Sequence, residues 1–541
     1  MTQRADRHSK EALLMSALVA TLSCSDGPST AAAPPAPASA MAGNAALPPN
    51  EAPSSGAPST GAGGVMEGSP DLPLTGGGEL PGATPSQEMA APPLAAPNGF
   101  ARNPIVSHVF TADPSAHVFE GRVYVYTSHD PDDQMAYDMT DYHAFSSADL
   151  VNWQDHGVVL DAADITWTDR LYAPTAAYSE ATGKYYLYFP NSGSAIGVAV
   201  SDSPAGPFED ALGRPLIDPS VPGAGDVEWL FDPSALVDDD GQVYLYFGGG
   251  PQGTGDNARV IRLNPDMISL ADASATTIVA PDLFEASYVH KRGGRYYFSY
   301  STTFANHAPY IDYLVSDDPM TGWQYTGTVL QQPDQNDSNN NHHSIIEYQG
   351  NSYVFYHNRV LAHREGRSTF QRSITLDNLT YDAQGNINLV PSLQGVVRQL
   401  RSVDAFARIE AEAMADQRGV ETRLALEGGA RVGVSVTALQ DGDWIGYSQV
   451  DFGGGASVFR ARAAASAGDG SLQIRVDGCN EFTTSPGSEV GRCVVAATGG
   501  PQSWADVECN VSVGPGVHDL CLSFSGPAGV ELFDLDSFTF E

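Results

Sequence analysis

Lysine is almost absent from this chain. Among 541 residues only Lys10, Lys184 and Lys291 are lysines; Lys and Arg together number 27 against 65 Asp and Glu, for a formal net charge of −38. A surface so short of cations does not grip nucleic acid or an anionic membrane by charge. Charged residues make up only 17% of the chain, below the usual figure of about a quarter, so the imbalance reflects missing cations more than surplus acids. Aromatic rings are missing from residues 1–99; every Phe, Trp and Tyr lies from Phe100 onward. An Ala-, Pro-, Gly- and Ser-rich stretch without rings cannot bury enough apolar surface to offset its ordering entropy. Long apolar runs are lacking too, and none approaches the roughly 20 residues of a membrane span. Cysteine is scarce, with five residues and no Cys-x-x-Cys pair, which argues against a structural zinc site.

The start of the chain reads as an export signal. Arg4, Arg7 and Lys10 precede an 11-residue apolar run, Ala12 to Leu22, which is a basic n-region followed by an h-region. Leu22-Ser23-Cys24 resembles a bacterial lipoprotein cleavage box, with Thr21 where that box prefers Leu. Residues 1–24 are therefore expected to be a signal peptide of lipoprotein type, lipidated at Cys24. Residues 25–99 are expected to be a flexible linker. The expected location is extracellular or on the cell envelope, with the membrane reached only through the lipid.

From residue 100 the sequence repeats. Gly121-Arg-Val-Tyr-Val-Tyr126, Gly183-Lys-Tyr-Tyr-Leu-Tyr188, Gly241-Gln-Val-Tyr-Leu-Tyr246, Gly294-Arg-Tyr-Tyr-Phe-Ser-Tyr300 and Gly350-Asn-Ser-Tyr-Val-Phe-Tyr356 share one pattern at intervals of 62, 58, 53 and 56 residues. Each is a turn glycine followed by a strand of β-branched and aromatic residues. A short apolar strand precedes each glycine, as in His117-Val-Phe119 or Ala235-Leu-Val237, so each unit opens with a hairpin. The remaining residues leave room for third and fourth strands, and Phe145-Ser-Ser147 and Val198-Ala-Val200 read as third strands. Five four-stranded units predict a five-bladed β-propeller over residues 100–402.

Ionisable residues recur in one phase of that repeat. Asp113, Asp232, Glu285 and His342 precede their glycines by 8, 9, 9 and 8 residues, while the second unit has Ala173-Pro174 there. Innermost propeller strands line a central channel, so these four side chains should converge. Clustered carboxylates raise one another's pKa. One protonated and one ionised carboxyl is what glycoside hydrolysis requires.

Thr111-Ala-Asp-Pro-Ser115, Phe231-Asp-Pro-Ser-Ala235 with Asp238-Asp-Asp-Gly241, and Phe284-Glu-Ala-Ser-Tyr288 with His290-Lys291 resemble glycoside hydrolase family 43, whose members are five-bladed propellers that invert the anomeric carbon. The resemblance implies Asp113 as general base, Glu285 as general acid, and Asp232 as the group that tunes and orients the acid. It implies that His342 contacts a channel ion, commonly calcium, mainly through water because calcium prefers oxygen; His343 fits the phase less well. Arg359 is a candidate for reaching a sugar hydroxyl or a catalytic carboxylate. Tyr172 stands where family members often carry Trp, and is a candidate for stacking on a sugar.

After residue 404 the pattern changes. Ile409-Glu-Ala-Glu412, Gly442-Asp-Trp-Ile-Gly-Tyr447, Val517-His-Asp-Leu520 and Leu532-Phe-Asp-Leu-Asp-Ser-Phe538 resemble carbohydrate-binding module family 6. That implies a β-sandwich (jelly roll) over residues 405–541 with a structural calcium held by Glu410, Glu412 and Asp536. The family's usual Thr-Gly-Gly-Trp reads Thr498-Gly-Gly-Pro501, Val432-Gly433 leads to Val434 instead of an aromatic, and Asp534 replaces a common Asn. The loop-end cleft is therefore expected to bind sugar weakly. Cys479, Cys493, Cys509 and Cys521 all lie here, an even count that reads as two disulfides in an exported domain. Three pairings exist; Cys493–Cys509 with Cys479–Cys521 is favoured.

The chain thus reads as an all-β, exported, inverting glycosidase for plant hemicellulose (arabinoxylan, arabinan or xylan). The first choice of activity is α-L-arabinofuranosidase, and β-xylosidase and arabinanase are rivals of the same family. A non-catalytic, glycan-binding propeller is the rival of another class.

Overall fold

The computed structural model describes residues 103–541 apart from 133, 251–253, 305–307, 333–339 and 480–486. The signal, linker and Cys24 expectations fall outside the described residues. Five antiparallel sheets follow in chain order. Blade I holds β1 (Thr111–Phe119), β2 (Arg122–His129), β3 (Asp141–Ser147) and β4 (Trp153–Asp161). Blade II holds β5 (Thr175–Ser179), β6 (Lys184–Asn191), β7 (Ala195–Ser201) and the two-residue β8 (Glu209–Asp210). Blade III holds β9 (Ser234–Val237), β10 (Val243–Phe247), β11 (Ala258–Leu263) and β12 (Thr276–Ile278). Blade IV holds β13 (Leu283–Arg292), β14 (Arg295–Thr302), β15 (Ile311–Ser316) and β16 (Gln324–Leu330). Blade V has β17 (His343–Tyr348), β18 (Asn351–Asn358) and β19 (Ser373–Leu379), so among the described residues it has three strands where four were expected. The segment before β1 runs along that blade instead: Ile105 N–H donates to the Ile374 carbonyl at 3.0 Å, and Asn103 exchanges two bonds with Leu376. First and last blades are thereby joined and the ring closes.

The repeated strands explain the packing. Side chains alternate across a strand, so Val123 and Val125 of β2 enter the core shared with blade V, while Tyr124 and Tyr126 enter the core shared with blade II. One apolar cluster fills each of the five seams. A tyrosine hydroxyl also crosses every seam to a backbone carbonyl: Tyr126 to Pro204, Tyr188 to Met267, Tyr246 to Pro319, Tyr297 to Gly385 and Tyr348 to Gly121, at 2.6–2.9 Å. The five turn glycines, Gly121, Gly183, Gly241, Gly294 and Gly350, all have φ between 68° and 81°, the left-handed region that a side chain would strain.

The second domain begins at Val403, two residues before the expected boundary, because Val403–Asp404 already pairs with Trp444–Asp451. Two six-stranded layers meet at Gly491↔Val511 and form one curled, twelve-stranded sheet around a core of Phe452, Phe459, Phe538 and Phe540. A Cβ on Gly491 would lie 2.6 Å from the Val511 side chain, so the junction needs glycine. Disulfides join Cys479 to Cys521 and Cys493 to Cys509, the favoured pairing.

This domain is bonded directly to blade I. Ala413–Met414 adds a fifth strand beside β4. Asn152 exchanges hydrogen bonds with the Ser448 backbone at 2.9 and 3.1 Å, and the Arg431 guanidinium donates to the carbonyls of His156 and Val158.

Candidate active site

The first strands of the five blades surround the axis, and the ionisable residues of the repeat sit at their beginnings. Asp113 lies in β1, Asp232 two residues before β9, Glu285 in β13 and His342 just before β17. Three of these places share an unusual backbone: φ is 53° at Asp113, 46° at Asp232 and 63° at Ala286. Register shifts interrupt the β1–β2 pairing between Ala112 and Ser115, and the β13–β14 pairing around Glu285. Bulges of this kind redirect a side chain out of the ladder, and aspartate tolerates the left-handed region better than most residues. The turn propensity of Asp-Pro and the chemical role of its carboxylate are thus combined in one local structure.

The repeat phase does bring the four residues together. His342 Nδ1 lies 3.6 Å from Asp113 Oδ1 and 3.9 Å from Asp232 Oδ2. Asp232 Oδ2 accepts the Ala286 backbone N–H at 2.7 Å, which fixes the residue next to Glu285. Asp113 and Asp232 are buried, whereas Glu285 is partly exposed. His343 is turned away, with Nε2 2.6 Å from the Ser299 hydroxyl.

An arginine that the sequence did not single out organises the cluster. Arg372, immediately before β19, donates from Nη1 to Asp113 Oδ1 at 2.8 Å. Its Nε and Nη2 form a two-pronged bond with Asp130 at 2.9 and 2.8 Å, and Tyr137 covers the guanidinium at 4.9 Å. Such a fork fixes both charges in orientation. His357 Nδ1 stands 3.3 Å from both the backbone nitrogen and Oδ1 of Asp113. Arg359 is fully buried and bonds to the Thr369 carbonyl, the Asn340 amide oxygen and the Tyr137 hydroxyl. The bond to the Asp113 carboxylate comes from Arg372. Tyr172 is half-buried, its hydroxyl donating to the Tyr137 carbonyl at 3.2 Å and its own carbonyl accepting from the Tyr142 hydroxyl.

The electrostatics divide the carboxyls. Burial pushes Asp113 up, but Arg372, His357 and His342 together outweigh it and hold the carboxyl far below the usual carboxylate range. Glu285 moves the other way: burial first, then the charges of Asp232 and Asp113, push it well up, with Arg372 and Arg359 only partly opposing. Burial also raises Asp232, and Asp113 adds to that, while the Ala286 N–H works against it. His342 is pushed down to about 4 and His357 to about 3, mainly by burial, so both imidazoles are neutral near pH 7. Of the three carboxyls, Asp113 stands as an anion beside a cation, while Glu285 and Asp232 are both pushed toward the protonated form, Asp232 up to about 8; an anion and an acid are the two states needed to activate water and to protonate a leaving group.

Two metal expectations bear on the architecture. Around His342, no three metal-type donors come within direct chelating range of one another among the described residues, so an ion there would be held largely by water. In the second domain Glu412 is buried and its Oε2 has no hydrogen-bond partner. Arg408 bridges Glu410 and Asp536 at 2.7–2.9 Å. By the same measure Glu410, Glu412 and Asp536 do not bring one donor each within chelating range among the described residues; the Arg408 cation pairs with two of them, and the unpartnered Glu412 oxygen is the one feature that suits a hard, oxygen-loving cation.

Comparison with known proteins agrees with this geometry. Residues 101–387 match the family model "Glycosyl hydrolases family 43", and residues 410–541 match "Carbohydrate binding module (family 6)". The arabinoxylan arabinofuranohydrolase of Paenibacillus polymyxa is 37% identical over 479 residues, covering 81% of this chain and 74% of that protein. The enzyme of the same name from Bacillus subtilis (strain 168) is 36% identical, covering 81% of this chain and 92% of that protein. A crystal structure of a Bacillus subtilis glycoside hydrolase family 43 arabinoxylan arabinofuranohydrolase in complex with cellotetraose superposes with a TM-score of 0.76 at 36% identity, over 82% of this chain and 99% of that one. A propeller whose axis gathers an anionic carboxyl and an acid, in a chain matched over 81% of its length to arabinoxylan arabinofuranohydrolases, is a glycosidase, and the chain belongs to glycosyl hydrolases family 43.

Proposed function

We propose that the protein is an inverting α-L-arabinofuranosidase that removes arabinofuranosyl side chains from arabinoxylan. The opposed protonation of Asp113 and Glu285 carries the chemistry. The substrate rests on the relatives, which match across the propeller and the second domain alike. Asp113 takes a proton from water as that water attacks the anomeric carbon. Glu285 gives its proton to the departing glycosidic oxygen, so one bond to water forms as the bond to the xylan hydroxyl breaks. Asp232 positions the acid by its hold on the Ala286 N–H, and whenever it ionises it raises Glu285 further. Incubation with arabinoxylan, arabinan and xylo-oligosaccharides tests the reading. Arabinose release from arabinoxylan, with the β anomer as first product by NMR, is expected. Xylose as the main product would transfer the reading to β-xylosidase, and absence of turnover on all three would favour a glycan-binding propeller.

Calcium is assigned by the same reading to Glu410, Glu412 and Asp536, where it would be a structural ion supplying charge for the orphaned Glu412 oxygen. Calcium should raise the melting temperature of the chelator-treated protein, and that gain should vanish in Glu412→Gln; an equal gain in the variant would remove the assignment. Export with a lipid on Cys24 rests on the basic and apolar start of the chain. Radiolabelled palmitate should enter the wild-type protein and not Cys24→Ala; labelling of both would dismiss it.

A further inference from the structure

Blade I carries a second group of metal-type donors away from the catalytic residues. His129 ends β2, Asp141 opens β3 and His143 follows two residues later. The register Thr127↔His143 and Ser128↔Tyr142 sets His129 opposite Asp141, so the three residues share one face of the hairpin. One donor atom from each lies within 4.8 Å of the others. His129 Nδ1 is 3.0 Å from Asp141 Oδ1, and His143 Nε2 is 3.8 Å from the same oxygen. The two imidazole centroids are 4.9 Å apart.

The surroundings of His143 are those of a metal ligand. It is 8% exposed, and its Nδ1 has no hydrogen-bond partner. That nitrogen points toward Asp155 Oδ1 at 3.6 Å. Asp155 is itself anchored by His108 at 2.9 Å, by the Thr422 hydroxyl at 2.7 Å and by the Gly157 N–H at 2.6 Å. At zinc sites a carboxylate that accepts the ligand imidazole's other N–H sets its tautomer and ring orientation; Asp155 stands 3.6 Å from His143 Nδ1, close enough to take that role after a small approach. A plain His129–Asp141 ion pair explains neither the position of His143 Nε2 nor the carboxylate behind it.

We propose that His129, Asp141 and His143 form a binding site for a divalent transition-metal ion of the zinc type, with Asp155 orienting His143. Zinc with ligands at about 2.0–2.1 Å in a tetrahedron spaces its donors about 3.3 Å apart; the two histidine nitrogens lie 3.0 and 3.8 Å from Asp141 Oδ1 and all three donors lie within 4.8 Å of one another, so a small inward movement of the imidazoles would close the set. Calcium is a poor match, because two of the three donors are nitrogens and it takes six to eight oxygens. The side chains of His129 and Asp141 reach solvent, so an ion can enter and water can complete its coordination. His129 adjoins Asp130, the partner of Arg372, so a loaded site would clamp the strand end that supports the catalytic arginine.

The test uses the full chain without an affinity tag, stripped with EDTA and then held in excess CaCl2 to fill oxygen sites. Titration with ZnCl2 should show one equivalent binding at micromolar concentration or tighter, with a rise in melting temperature. Co(II) in its place should give the intense visible absorption of a four-coordinate ion. His129→Ala, at a partly exposed position, should abolish the cobalt absorption and the thermal gain. Asp155→Asn should weaken zinc by roughly 10–100-fold. Zinc binding unchanged in His129→Ala, or wild-type binding only in the millimolar range, overturns the proposal.

Discussion

Asp113 and Asp232 hold a backbone conformation that most side chains resist, with φ of 53° and 46°. Asparagine shares their tolerance, so Asp→Asn is a cleaner probe here than Asp→Ala, which adds strain to the chemical loss. Glu285→Gln should lower turnover of arabinoxylan by about 10²–10⁴-fold and hydrolysis of a 4-nitrophenyl arabinofuranoside much less, because that leaving group needs little protonation. Equal loss on both substrates would remove Glu285 from the acid role. Arg372→Met, with Arg372→Lys as the charge-conserving comparison, should shift the acid limb of the kcat/KM profile upward in pH. With the guanidinium gone, burial dominates Asp113 and raises it, so the base loses its charge at higher pH than in the wild type. An unchanged acid limb in Arg372→Met would contradict that account. The carboxylates were legible in the sequence because they recur at one phase of a repeat. Arg372 and Asp130 were not, because they belong to no repeated position and lie 259 and 242 residues in sequence from the groups they meet, Asp113 and Arg372.

At the level of strands and seams, the glycine-aromatic motif announced its own hairpins, and each lies where the pattern put it. The motif was silent on partners. Nothing in Gly183-Lys-Tyr-Tyr-Leu-Tyr188 says that the Tyr188 hydroxyl crosses to Met267, since that carbonyl belongs to an irregular turn. Nor did it indicate that blade V would show three strands among the described residues, because the segment that runs along β19 comes from the other end of the propeller. Tyr188→Phe keeps the ring in its seam and leaves a buried carbonyl unpaired, so it should cost about 1–2 kcal/mol in chemical denaturation. Tyr325→Phe, at an exposed hydroxyl, should cost less than about 0.5 kcal/mol. Equal costs would mean that the seam bonds add nothing beyond ring burial.

Across the whole molecule, acid sensitivity should be set as much by imidazoles as by carboxylates. Burial pushes His117, His290 and His357 down to about 3 and His156 and His342 to about 4. Below the unfolded value of about 6.5 the unfolded chain binds protons that the folded chain refuses, so stability falls as pH drops from 6.5 toward 4. The melting temperature should therefore decline steadily through that window. A flat profile down to pH 4, followed by an abrupt loss, would assign acid unfolding to carboxylates alone. The pairing of Ala413–Met414 with β4 bears on the polymer that the enzyme meets. A module on a slack tether acts as a leash, raising the local amount of substrate at every orientation within reach. One that is sewn into a blade acts as a ruler. A backbone held by the second domain would meet the channel mouth at a single offset and heading, so the positions of cleaved branches along the xylan would be spaced by the protein's own dimensions.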